Sequence, residues 1–325
     1  MKVLVTGVTG RIGRNFARAM VNEGREVRGL VLPGDPGLES ARDDGVDCIV
    51  GNLRDLETAR EAVSGVDAVM HLGASMLWGS EDYNPDLFED NTRGTFNLAH
   101  AASRTGVHRF VFASSDEAYP SLFAKYLPID ENHPREPYSF YGLTKITGEE
   151  TLRYYHRSAG LPIAIARFAL VLEPWEAITP DGTLGRFLFL STMKTMVEAR
   201  SGESGLSALG NVAESDGRLL LARDAEGVPY MFHCVDVRDI VQGLRLLLDH
   251  ESAVGEVFNL SGPAPFSYAE VIPYLSQKID REFLEANIPG PPIRVHHSTA
   301  KARSLVGYQP QFDIFRTIDD AVFAK

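Results

Sequence analysis

The sequence predicts an α/β fold, a doubly wound parallel sheet with a smaller C-terminal lobe. Three observations carry that expectation. Short β-rich runs alternate with amphipathic helical stretches through the first half of the chain. The runs are apolar almost throughout, as parallel strands covered on both faces have to be, and right-handed crossovers assemble such units into one sheet. After Leu172 the rhythm fails and a mixed, partly Ser/Gly-rich sequence takes over. At 325 residues the chain exceeds one average domain and suits two lobes with a sizeable core.

The first run, Val3 to Thr6, leads directly into Thr6-Gly7-Val8-Thr9-Gly10-Arg11-Ile12-Gly13. In this pattern Gly7 permits a tight turn, Gly10 lets the backbone approach a pyrophosphate, and Gly13 lets the next helix pack closely on the strand. The amides at the start of that helix have no partners within it, and the peptide dipole favours an anion there. The second run, Val27 to Leu32, ends where an acid marks a ribose 2′-hydroxyl or an arginine marks a 2′-phosphate. Val31-Leu32 can do neither, Asp35 follows Pro33-Gly34, and Arg11 and Arg28 are candidate partners for a 2′-phosphate. The cofactor is therefore NAD or NADP, with NAD slightly favoured.

Further runs follow at Cys48 to Val50, Ala68 to Leu72, Phe110 to Ala113 and Ile163 to Arg167. The fifth ends in the hydroxyls Ser114-Ser115, and strand ends of this kind are where open α/β sheets place ligands. Ser115 can donate a hydrogen bond to a carbonyl or alkoxide. Pro137 suits the opening of a helix that carries Tyr141-Gly142-Leu143-Thr144-Lys145, with phenol and ammonium on one face. A phenol with a pKa of about 10 is a poor base at neutral pH, and a neighbouring ammonium brings it toward a useful range.

Beyond Leu172, Gly185 to Ala199 reads as helical and Ser201 to Gly217 as irregular. Strand-like Tyr230 to Val235, a helix from Asp236 to Asp249 capped by Asp236, and strand-like Val257 to Leu260 return toward the sheet. The expected organisation is a dinucleotide-binding domain over 1–172, rejoined by 231–261, and a substrate-binding lobe made of 173–230 and 262–325. No internal repeat or flexible linker interrupts it.

A net charge of -12 opposes attraction to nucleic acid or anionic membranes. No apolar stretch approaches the roughly 20 residues of a bilayer span, and no signal peptide precedes the first strand, so a cytoplasmic protein is expected. Cys48 and Cys234 form no ligand pattern and read as small core residues in a reducing compartment. His233 has no second ligand at metal spacing and reads as a satisfied strand residue, so no metal is expected.

Three more segments complete a pattern: Gly51-Asn52-Leu53, His71-Leu72-Gly73-Ala74 and Asn91-Thr92-Arg93-Gly94-Thr95. With the glycine turn and the Tyr/Lys pair, they make most of the chain resemble an extended short-chain dehydrogenase/reductase of the NAD-dependent epimerase/dehydratase family. The resemblance implies a Rossmann-type sheet. It also implies that Tyr141 is a general acid/base, that Lys145 lowers its pKa and holds the nicotinamide ribose, and that Ser115 orients the reacting oxygen. The cofactor would lie along Gly7, Gly10, Arg11, Ile12, Gly13, Leu32, Asn52, Leu53, Leu72, Gly73, Ala74 and Phe168, besides Tyr141 and Lys145. Hydride transfer at a secondary alcohol or ketone is the implied step. Retention of Ser115, Tyr141 and Lys145 together argues against a cofactor-sensing regulator. Many relatives dimerise through the Tyr/Lys helix, which here puts Arg153, Tyr154 and Tyr155 near a seam and implies a homodimer.

Ser115-Asp116-Glu117 resembles the Thr-Asp-Glu segment of nucleotide-sugar 4,6-dehydratases. That makes Asp116 and Glu117 candidate catalytic groups, with a solvated loop as the equal alternative. Two departures bear on substrate. Leu170 stands where the family commonly has an asparagine on a substrate diphosphate, and Pro229 where an arginine often grips it. A diphosphate needs charge-assisted donors that neither supplies. A small sugar-like or hydroxy/keto compound is expected, and the alternative is a nucleotide-sugar epimerase or 4,6-dehydratase. Arg186, Arg200, Arg218 and Arg223 are candidate carboxylate clamps. Trp78, Tyr83 and Trp175 are candidate ring-stacking residues.

Overall fold

Val3, Leu4 and Val5 have no exposed surface, which requires that β1 (Lys2–Thr6) be covered on both faces. The computed structural model describes residues 1–76, 84–210 and 216–324. In it, β1 is an interior strand, between β4 and β2, of a seven-stranded parallel sheet with the order β11-β6-β5-β4-β1-β2-β3. Its members are β2 (Glu26–Val31), β3 (Asp47–Val50), β4 (Ala68–His71), β5 (Arg109–Ser115), β6 (Ile163–Phe168) and β11 (Val257–Leu260). Successive connections run outward from β1 on one side and then restart at β4 on the other. Between these two strands lies the switch point where an open sheet leaves a crevice beyond its strand ends.

Alternation along β1 separates the two faces. Val3 and Val5 pack with Phe16 and Met20 of α1 (Arg11–Asn22) and Leu244 and Leu247 of α8 (Val237–Asp249). Leu4 packs on the other side with Ala59 of α3 (Leu56–Val63), Leu98 of α5 (Gly94–Ala102) and Leu152 of α6 (Phe140–Ala159). Shorter helices α2 (Leu38–Asp43) and α4 (Pro85–Phe88) lie in the connections after β2 and β4.

Unlike the expected assignment of 262–325 to the second lobe, α10 (Ala300–Val306) packs on β11, with Ala302 and Val306 in the core of the large sheet. The second lobe holds α7 (Leu190–Leu209), α9 (Tyr268–Ile279), α11 (Ile314–Phe323) and three small ladders. In these, β7 (Leu170–Leu172) pairs with β10 (Cys234–Asp236), β9 (Met231–Phe232) with β12 (Phe266–Ser267), and β8 (Leu219–Arg223) with β13 (Phe283–Asn287). Their core includes Met193, Leu220, Phe232, Tyr268, Ile272 and Ile318.

Two segments differ from the sequence reading. The run at 230–235 does not extend the large sheet: Val257–Leu260 already occupies the edge of β6 from Ile165 to Phe168, so β10 pairs instead with β7. The Ser/Gly-rich stretch after Ser201 is helical as far as Leu209, with a break at Gly202, whose φ is 57°. Met193, Val197, Gly205 and Leu209 are buried at multiples of four along it, a spacing that the serines and glycines disguise. Asp236 caps α8 as expected, accepting from the Arg238 amide at 2.9 Å.

Candidate active site

At the switch point the glycines leave space that side chains would fill. A Cβ on Gly7, whose φ is +65°, would lie 2.6 Å from Gly73 Cα, so the end of β1 and the loop after β4 touch through glycine alone. A Cβ on Gly13 would lie 2.0 Å from the Gly7 oxygen, which fixes α1 tightly over the turn. The helix starts at Arg11 with Gly10 as its cap and no side-chain hydrogen bond, leaving its first amides open to an anion. A dinucleotide pyrophosphate fits this cradle.

A polar chain that the sequence reading did not foresee braces the same turn. Gly73 N–H donates to Thr6 Oγ1 at 3.0 Å, and Thr6 lies 2.7 Å from His71 Nδ1. His71 Nε2 lies 2.9 Å from Thr95 Oγ1, which in turn donates to the Asn91 carbonyl at 2.5 Å. Each hydroxyl has one proton to give, so His71 accepts at Nδ1 and donates at Nε2. Burial holds this imidazole neutral, pushing its pKa down to about 3. Asn91 sits in a π-turn, Glu89–Arg93, and its side chain clasps both backbone groups of Ser75 and reaches Thr144 at 3.1 Å.

Around the second strand, Leu32 is 53% exposed at the sheet edge. Asp35 comes back to the glycine turn, accepting from Thr9 Oγ1 at 2.7 Å and from the Gly37 amide at 2.8 Å. Asn52 closes a local turn by accepting from the Arg54 amide at 2.8 Å, and Leu53 packs on Gly94. Neither arginine suggested for a 2′-phosphate is spare. Arg28 donates to the Ser64 carbonyl at 2.6 Å and pairs with Asp47, away from the strand's ligand end. Arg11 pairs with Glu176 at 3.2 Å and donates to the Val171 carbonyl.

Ser139 caps α6, accepting from the Gly142 amide at 2.9 Å and donating to the Glu117 carboxylate. A Cβ on Gly142 would lie 2.2 Å from the Glu117 carbonyl, so the helix start is pressed against the turn Asp116–Ala118. Lys145 Nζ lies 5.3 Å from the centre of the Tyr141 ring and donates to the Ala113 carbonyl at 2.8 Å. Burial pushes its pKa down to about 7 against the opposing charges of Glu117 and Glu149.

The phenol departs from expectation. Tyr141 is raised, not lowered: burial is the main cause, and the charges of Glu117 and Asp116 add to it. A partly discharged lysine cannot outweigh two carboxylates at the same end of the helix.

Asp116 and Glu117 do not begin a solvated loop. Ser115 Oγ accepts from the Glu117 amide at 3.1 Å and donates to Asp116 at 3.3 Å, which folds the turn onto the strand end. Burial and the Glu117 charge push Asp116 up to about 7. Glu117 is raised by burial too, with Ser139 and Lys145 opposing. Beneath them Glu149 accepts from Arg167 at 2.6 and 2.8 Å and from Ser114 at 2.6 Å, fixing the end of β5. Glu149 lies four residues beyond Lys145, which is the only sequence signal it offered.

Phe168 is buried at the end of β6, in register with Ser115. Among the suggested clamps, Arg218 is paired with Asp216 at 2.8 Å, and Arg223 is paired with Glu285. Arg200 donates to the Pro291 carbonyl at 2.9 Å and stacks on Phe123. Arg186 lies in the turn Gly185–Phe187. Trp175 is half-exposed, with its indole N–H on Glu173 at 3.0 Å, while Trp78 and Tyr83 lie outside the described residues. Among the described residues there is no cluster of three metal-ligating side chains, and no helix is long and apolar enough to cross a membrane.

A family model described as NAD dependent epimerase/dehydratase matches residues 3–261. The crystal structure of a short-chain dehydrogenase/reductase superfamily protein from Agrobacterium tumefaciens with bound NAD is 34% identical. It covers 100% of this chain and 97% of its own, with a TM-score of 0.88. The UDP-glucose 4-epimerase of Lactobacillus helveticus is 26% identical, over 99% of this chain and 95% of its own. The 3 beta-hydroxysteroid dehydrogenase/Delta 5-->4-isomerase of Mycobacterium tuberculosis is also 26% identical, over 96% of this chain and 86% of its own. Equal similarity therefore accompanies names with different substrates.

Proposed function

The chain belongs to the NAD-dependent epimerase/dehydratase family, and on that premise we propose that it transfers hydride at a secondary alcohol or ketone of a small hydroxylated substrate. One observation carries this reading: Tyr141 and Lys145 share a face of α6 that is pressed against the strand end bearing Ser115, beside an uncapped glycine turn. NAD, when bound, supplies the hydride acceptor and a positively charged ring. Gly7, Gly10 and Gly13 admit its pyrophosphate to the α1 amides, and Lys145 holds its ribose. Ser115 and the Tyr141 hydroxyl together hold the substrate oxygen. Tyr141 gives its proton to a carbonyl oxygen in the reductive direction, and the phenolate takes the alcohol proton in the oxidative one; burial favours the protonated phenol, the donor form. The net reaction is a dehydrogenation or reduction, or an epimerisation or dehydration when the hydride is returned.

Asp35 supports NAD over NADP. Its carboxylate is fixed beside Thr9, where it would repel a 2′-phosphate and accept from a 2′-hydroxyl. Leu170 and Pro229 support a substrate without a nucleotide diphosphate. The second reading, a nucleotide-sugar epimerase or 4,6-dehydratase, is favoured by the inward placement of Asp116 and Glu117. A homodimer is supported by Phe96 of α5 and Tyr154 of α6, which are 48% and 57% exposed on adjacent helices, and light scattering should give twice the chain mass.

Tyr141→Phe tests the central reading. Hydride transfer should fall by about 10²–10⁴-fold while NADH binding, followed by its fluorescence, stays unchanged. Unaltered turnover would overturn it. Titration with uridine diphosphate separates the two substrate classes, since saturable binding contradicts the argument from Leu170 and Pro229.

A further inference from the structure

His297 is a buried imidazole that no sequence motif singled out. Its side chain is 2% exposed, and among the described residues neither ring nitrogen has a hydrogen-bond partner. Leaving such a group unpaired is costly, and orphans of this kind in a well-satisfied interior point to a role. The ring is also rigidly placed. The chain from Ile293 to Ser298 threads between two segments: Met231 N–H donates to the Ile293 carbonyl at 3.0 Å, and Ile129 N–H to the His296 carbonyl at 2.7 Å.

A second histidine fixes the surroundings. His233 Nδ1 accepts from the His297 amide at 3.1 Å, so the proton on this neutral ring is at Nε2, 3.1 Å from the Gly262 carbonyl. His297 stacks on that ring with centroids 6.0 Å apart. Its own Nε2 lies 3.4 Å from Asp116 Oδ2. Because both nitrogens are sealed from solvent, a substrate reaches Asp116, which is 20% exposed, and not His297.

We propose that His297 is a positioning residue for Asp116, holding its carboxyl through a hydrogen bond between Nε2 and Oδ2 so that Asp116 serves the pocket as a proton-transfer group separate from Tyr141. This rests on the hydride-transfer reading of the pocket and adds to it. A neutral imidazole can do this in either state of the acid: Nε2 accepts from the protonated carboxyl, and in the other tautomer Nε2–H donates to the carboxylate. At 3.4 Å the pair is long and not yet aligned as a hydrogen bond, a geometry of the kind that tightens when a site is loaded. The groups facing the pair agree with this. Glu117 on the same turn favours the protonated acid, and Lys145 of α6 lies near Glu117. His233, His296 and His133 oppose a charge on His297, which burial already holds neutral.

The test is nuclear magnetic resonance of the full-length protein labelled with ¹⁵N-histidine and saturated with NAD. The His297 ring should remain uncharged from pH 5.5 to 8.5, while its Nε2 resonance inflects near neutrality as Asp116 titrates. Asp116→Asn should abolish the inflection, and Tyr141→Phe should leave it intact. A flat Nε2 resonance, or an inflection that survives Asp116→Asn, overturns the proposal. Should Asp116→Asn fail to fold, infrared difference spectra between pH 6 and 8 decide. The protonated-carboxyl band should shift in His297→Gln, and an unmoved band overturns the proposal. Failure of hydride transfer to depend on Tyr141 would be a separate result, because neither spectrum relies on turnover.

Discussion

Burial acts in opposite senses on the two side chains that share the face of α6, pushing the Tyr141 phenol up and the Lys145 ammonium down. Both shifts favour the neutral form, as expected where charge leaves water. Glu117 raises both groups, so Glu117→Gln should move the pH profile of hydride transfer to lower pH, as read from initial rates between pH 5 and 10. A profile unmoved or shifted upward would contradict this assignment. The Tyr141 and Lys145 spacing was legible in the sequence because it lies within one helical turn. The sign of the phenol's shift was not, because it is set first by burial and then by carboxylates 24 and 25 residues earlier that only the turn Asp116–Ala118 brings near. His297 was illegible for the same reason, since its neighbour Asp116 lies in a distant segment.

At the scale of elements, the glycine turn and its helix separate two roles that the motif merges. A Cβ on Gly13 meets backbone at 2.0 Å, whereas one on Gly10 meets only the Gly7 oxygen at 3.3 Å. Gly13→Ala should therefore destabilise the fold by about 2–3 kcal/mol, measured by urea unfolding. Gly10→Ala should leave stability nearly unchanged and weaken NAD binding by about tenfold or more, measured by calorimetry. The six strands read from the first half of the sequence recur within one or two residues, since each is a short apolar run bounded by turns. The helix beyond Gly202 and the small ladders of the second lobe were hidden. Their buried positions are Ser- and Gly-rich or paired over long separations, so neither period nor composition marks them.

For the whole molecule, acid stability follows from the buried neutral histidines. His71 and His233 both have pKa values near 3 in the fold against 6.5 in the open chain. Between pH 6.5 and 3 the unfolded chain binds more protons than the native one. Their contribution is therefore complete above pH 6.5 and is lost as pH falls, by about 1.4 kcal/mol per pH unit for each. Asp116, raised to about 7, works in the opposite sense over part of that range, as do Glu117, Glu131 and Asp239, which burial also raises, while His297 adds to the histidines. Urea midpoints should fall steeply from pH 7 to 5, and His71→Gln should flatten that slope. An unchanged slope in the variant would remove His71 from the account.

Arg11 gives the molecule one more property. It is the first residue of the helix with the open amides, and its guanidinium is fastened to Glu176 and the Val171 carbonyl. Whatever tightens that latch also steadies the start of α1, and by reciprocity a dinucleotide seated there, as proposed, would steady the segment 171–176. In the proposed epimerisation or dehydration, which hands a hydride out and takes it back, the carrier has to stay bound between the two events. A strap from the start of α1 to the segment 171–176 serves that retention.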